Sequence, residues 1–90
     1  MRYITVDNKI RPLDEEKLYK NLAKNLGEVD TKYIIKSACI LLADLDFTTS
    51  FINGQQPEEY YAKVISDYIA DHSIEEFVNC EDDCEIWDYA

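Results

Sequence analysis

From Ile34 to Leu45 the chain reads IIKSACILLADL, apolar almost all the way round a helix. A helix without a polar face has to be enclosed by other elements, so this segment is the expected centre of the fold. The covering must come from a chain of 90 residues, which makes one domain, residues 1–90, able to bury roughly 60–65% of its unfolded surface. Eleven aromatic residues against two glycines and two prolines favour compact helices over loops or disorder. The expected class is mainly α, with three main helices and a short fourth.

Local signals place those helices. Pro12 and Asp14 open the first, Glu15 and Glu16 suit its positive end, and Gly27 is a C-terminal stop. Leu18, Leu22 and Leu26 recur on its core side, while Lys17, Lys20 and Lys24 form a solvated row. Asp30 or Thr31 is the expected cap of the second helix. That helix is expected to run on through TTSFI to Asn53 and Gly54, with Phe47 and Phe51 at i, i+4, although Phe47, Thr49 and Phe51 also fit a strand. Pro57, followed by Glu58 and Glu59, starts a third helix whose core side carries Tyr61, Val64, Ile65, Tyr68, Ile69 and His72. SIEE at 73–76 is a capping box that begins the fourth after a kink at His72 and Ser73.

RYITV near the start reads as a short strand followed by the turn DNK. The similar stretch is CEIWDYA at 84–90, so a minor two-stranded pairing of the termini is one solution. The second helix carries Lys32 and Lys36 near its positive end and Asp44 and Asp46 near its negative end, against its dipole. Packing on the first helix would answer this by bringing Arg11 and Lys17 to Asp44 and Asp46.

Charge is unevenly spread. Residues 1–36 hold eight of the nine bases against six acids, and residues 37–90 hold thirteen acids against Lys63 alone. From Glu58 onward the acids are Glu58, Glu59, Asp67, Asp71, Glu75, Glu76, Glu81, Asp82, Asp83, Glu85 and Asp88, with Trp87 among the last. Glu59, Asp67, Asp71 and Glu75 are spaced by multiples of four, which on one continuous helix is a column with steps of about 6 Å or a multiple of it. Such a surface repels nucleic acid and anionic membranes and suits a basic protein.

Reaction chemistry is poorly represented. Zinc wants four thiolate or imidazole ligands, and Cys80, Cys84 and His72 offer three; EDDCEIWD lacks the spacing and glycine of a calcium loop. Neither a metal nor a cofactor is expected. The carboxylates around Cys80 and Cys84 raise rather than lower a thiolate pKa, and a bridge between the two would close too short a loop to gain much. With one histidine, no glycine-rich loop before a helix and no G-x-S-x-G, catalysis is not expected. MRYITVDNKI lacks the basic and apolar parts of a secretory signal, so a cytoplasmic location with reduced thiols is expected.

The resulting expectation is a non-enzymatic interaction protein. Its acidic C-terminal half, the twelve residues from Glu58 to Asp88 named above, would meet a basic protein surface as a nucleic-acid mimic, with residues 79–90 as an acidic contact segment. In size and acidity the chain resembles small inhibitors of restriction or CRISPR nucleases, a likeness of composition. The alternative is a helical adaptor or homodimeric subunit with an apolar contact through Phe51, Tyr60, Trp87 and Tyr89. Salt dependence separates the two.

Overall fold

The computed structural model describes residues 2–79 and 89. It is mainly α, with four helices and a small three-stranded sheet. The opening strand β1 (Tyr3–Val6) turns back at once into β2 (Lys9–Pro12). The two residues between them, Asp7 (φ 53°) and Asn8 (φ 65°), both have positive φ; a tight hairpin turn of the primed type requires this, and Asp and Asn tolerate it. The register pairs Tyr3 with Pro12, Ile4 with Arg11, Thr5 with Ile10 and Val6 with Lys9. Beyond the strand, the Leu13 amide donates to the Arg2 carbonyl (2.9 Å), so alternate β2 residues bond inward and Pro12, which has no N–H, falls on the outward phase.

The other neighbour of β1 is β3 (Asp46–Phe47), which runs parallel to it in the order β2-β1-β3. The strand's partners are therefore β2 and β3 rather than the C-terminus; of the expected terminal pairing, Cys84–Asp88 and Ala90 lie outside the described residues. Pro12, expected as part of a helix opening, closes a strand.

Helix α1 (Glu15–Leu26) is capped by the Asp14 carboxylate, which accepts from the Lys17 amide (3.0 Å). Leu18 and Leu22 are fully buried, and Gly27 (φ 86°) ends the helix. Helix α2 (Glu28–Ala43) follows immediately, with Gly27 as its first cap. Neither Asp30 nor Thr31 is that cap: Thr31 lies inside the helix, buried, its hydroxyl donating to the Gly27 carbonyl (2.7 Å). The earlier start puts Glu28 and Asp30 in the first turn, which relieves part of the dipole conflict expected from Lys32 and Lys36.

Two expectations for α2 fail. It does not reach Asn53: the chain leaves it at Asp44 to form β3, and residues 48–54 form a separate turn. There the Gly54 amide donates to the Thr49 carbonyl (2.8 Å) and the Asn53 amide to that of Ser50 (3.4 Å). Asn53 (φ 58°) and Gly54 (φ 77°) thus make the stop expected of them, but at the end of a different element. Nor is α2 the enclosed centre. Five of its 16 residues are buried, whereas α3 (Pro57–Asp71) buries nine of 15. Tyr33 and Ile40 of α2 face outward. So small a domain has too little chain to surround every apolar helix, and α3, packed on α1, takes the inner position. The short α4 (Ile74–Val78) is capped by Ser73, whose hydroxyl accepts from the Glu76 amide (3.1 Å), as the spacing predicts.

Candidate acidic interface

The first acid of the expected surface is inside the molecule. Glu58 is 1% exposed, and its two oxygens accept from the two terminal nitrogens of Arg11 at 2.8 Å each. Oε2 also accepts from the Asp14 amide (2.9 Å), and Gln56 Oε1 accepts from the same guanidinium (3.0 Å). The end of β2, the cap of α1 and the first turn of α3 are joined by this one carboxylate. Burial raises its pKa, but the Arg11 bonds and the Asp14 amide more than offset that and hold it below the ordinary value. Arg11 is therefore not beside Asp44 and Asp46.

Glu59, half-buried, pairs with Lys17 at 2.7 Å, so the second base expected near Asp44 is also engaged on α3. The remaining described acids of the set are exposed: Asp67, Asp71, Glu75 and Glu76. Asp71 accepts from the Tyr89 hydroxyl (2.8 Å), and Glu76 meets His72 Nδ1 (2.8 Å). Glu81, Asp82, Asp83, Glu85, Trp87 and Asp88 lie outside the described residues, as do Cys80 and Cys84. Fourteen acids against nine bases leave the described residues at −5, and the five acids from Glu81 to Asp88 carry the other half of the chain's −10.

The expected column is modified in two ways. Lys63, exposed, lies one turn from both the half-buried Glu59 and the exposed Asp67 on the same line of α3. The helix then ends at Asp71, where His72 (φ −121°, ψ −117°) turns the chain, so Glu75 belongs to α4. What remains is an acidic end: Asp67 and Asp71 close α3, Glu75 and Glu76 sit in the first turn of α4, and Lys63 is the last lysine or arginine in the chain. Beneath this end Tyr68 stacks on His72 (centroids 4.4 Å apart) and meets the Tyr89 ring edge-on at 5.7 Å. Tyr89, read from the sequence as an outward aromatic contact, is thus packed partly against the core.

The lysine row of α1 borders an open depression of about 420 Å³ lined by Asp14, Glu16, Lys17, Lys20, Asn21 and Lys24. Lys17 is held by Glu59, and Lys20 by Glu16 at 2.9 Å. Among the described residues, no three His, Cys, Asp or Glu side chains are placed to hold a metal, and no helix is long and apolar enough to cross a membrane.

Cys39 is the described cysteine, 4% exposed on α2. Burial, helped by the nearby Glu15 carboxylate, pushes its thiol up to about 11, so little thiolate is present at neutral pH. In native protein treated with iodoacetamide, the Cys39 peptide should stay unmodified and label fully only in denaturant, as read by mass spectrometry. Arg11, the partner that sequence reasoning missed, carries no local signal, being 47 positions from Glu58.

The chain matches no protein-family model, no curated protein and no solved structure at a significant level.

Proposed function

We propose that this protein binds a basic protein surface through its acidic end, without catalysing a reaction. The cluster formed by Asp67, Asp71, Glu75 and Glu76, continued in sequence by Glu81, Asp82, Asp83, Glu85 and Asp88, takes the place of a run of phosphates. The observation that carries this reading is the exposure of all four acids in a stretch with no lysine or arginine after Lys63, His72 being bonded to Glu76. Glu58 and Glu59 drop out of the contact, since Arg11 and Lys17 already hold them. The fitting partner is a cytoplasmic protein that handles DNA or RNA, and the outcome of binding is competition with nucleic acid, as for an inhibitor of a restriction or CRISPR nuclease.

A second reading, an adaptor or homodimer with an apolar contact, is favoured by Phe51, which is 60% exposed and meets Tyr60 edge-on at 6.5 Å. One experiment separates the two. Immobilised protein is challenged with lysate in low salt, then with rising salt or with duplex DNA as competitor. Binding through carboxylates should fall steeply with salt and be displaced by the duplex, because both screen or replace the same charges. The triple variant Asp67→Lys, Asp71→Lys, Glu75→Lys should weaken it by about tenfold or more, since like charges then oppose each other. Retention that ignores salt, survives the triple variant and is lost in Phe51→Ser identifies the apolar contact instead.

A further inference from the structure

We infer that Asn53, followed by Gly54, is the site of spontaneous deamidation in this chain, and that the fold holds the reaction back through the Gly54 amide. The reaction needs the Gly54 nitrogen to give up its proton and attack Cγ of Asn53. The new N–Cγ bond forms as the Cγ–Nδ2 bond breaks, ammonia leaves with the proton, and a cyclic imide remains. Water then opens the imide on either side, giving aspartate or isoaspartate at position 53. Either product adds a negative charge, and isoaspartate also adds a methylene to the backbone.

Among the described residues Asn53 is the asparagine with a glycine after it; Asn8, Asn21, Asn25 and Asn79 precede Lys9, Leu22, Leu26 and Cys80. Those side chains crowd the attacking nitrogen. In α1 the Asn21 and Asn25 amides are also occupied, donating to the Lys17 and Asn21 carbonyls. Apart from its chain neighbours, no atom lies within 4 Å of where a Cβ on Gly54 would stand, and both residues are exposed, so crowding by the rest of the fold does not protect this site.

Hydrogen bonding does. The Gly54 amide donates to the Thr49 carbonyl at 2.8 Å, and Asn53 is fixed at φ 58° by the same turn. Attack requires that bond to open. The turn is itself clamped to the hairpin, because the Asp7 carboxylate accepts from both the Thr49 amide (3.0 Å) and the Thr49 hydroxyl. A carboxylate in β1's turn thereby sets the rate of a reaction 46 residues away. The buried side chain of Ile52 (0% exposed) anchors the turn from below.

The test incubates the protein at mildly alkaline pH, native and in denaturant, and quantifies aspartate and isoaspartate at position 53 by peptide mass spectrometry. Native protein should react roughly tenfold or more slowly than unfolded chain, because reaction proceeds only through local opening. Asp7→Gly, which keeps the positive φ of the turn and removes the clamp, should recover much of that factor while the far-UV spectrum is unchanged. If Asp7→Gly does not fold, Thr49→Val, which removes only the hydroxyl bond, should accelerate the reaction by a smaller factor. Equal native and unfolded rates, earlier conversion at another asparagine, or a rate indifferent to both variants each overturns the inference.

Discussion

Glu58→Ala should lower the stability of the domain by about 3 kcal/mol, whereas Glu59→Ala, one residue along, should cost less than about 1. Both acids lie in the first turn of α3, and the difference is environment. Glu58 is 1% exposed and holds the Arg11 fork and the Asp14 amide. Truncation leaves a guanidinium and an amide without their acceptor. Losing one partner of a buried pair costs about 3–5 kcal/mol, and the low end applies because Arg11 keeps 33% of its side chain exposed. Glu59 and Lys17 are each more than a third exposed, so water replaces most of what their pair contributes. For a domain of this size roughly 3 kcal/mol is a melting-temperature drop on the order of 12–24 °C. Arg11→Met with Glu58→Met should be more stable than Glu58→Ala alone, because no charge is then left unpaired.

The same pair sets an acid limit. The folded-state pKa of Glu58 lies below its ordinary value of 4.5, so its contribution is complete above the unfolded value and is lost as pH falls through the folded one. Urea midpoints measured from neutral to acid pH should show wild type losing stability in that window, and Glu58→Ala losing less. A Glu58→Ala variant that melts with wild type would show that the buried carboxylate does not join β2, α1 and α3.

What the sequence disclosed, and what it hid, follows from the range of each signal. The leucine stripe of α1, the stop at Gly27, the start at Pro57 and the Ser73 cap rest on residues within a turn or two of each other, and all stand in the structure. β2 and β3 have no such signature: KIRP becomes a strand by pairing with Tyr3–Val6, and two residues of β3 cannot display a period. The apolar run of α2 marks a helix correctly but says nothing about which helix wins the interior; α3 wins with fewer aliphatic residues and two tyrosines, Tyr61 and Tyr68, turned inward. Charge was legible as a total and not as a surface. A glutamate after a helix-opening proline looks exposed in any sequence, and only the return of Arg11 from the hairpin shows that Glu58 is not.

Phe47→Ala should destabilise the protein by about 3–5 kcal/mol and Phe51→Ala by under about 1, a contrast that separates the two readings of residues 44–53. On a continuous helix these rings, four positions apart, would share one face and suffer comparably. In the structure Phe47 is 4% exposed in β3, its ring edge-on to Tyr61 at 5.2 Å and its carbonyl accepting from the Asp7 amide (2.8 Å). Truncation there opens a cavity between sheet and α3. Phe51 is 60% exposed and touches only the edge of a half-buried Tyr60 among described rings, so its loss removes one aromatic contact worth about 0.5–1.5 kcal/mol, reduced by exposure. Chemical denaturation of both variants gives the comparison directly. Equal losses would mean that the chain stays helical past Asp44, which would remove β3, the Asp7 clamp on Thr49 and the shelter of the Gly54 amide together. Unequal losses in the stated order mean that Phe47 has left the helix for the buried space between β1 and α3, where its ring meets Tyr61.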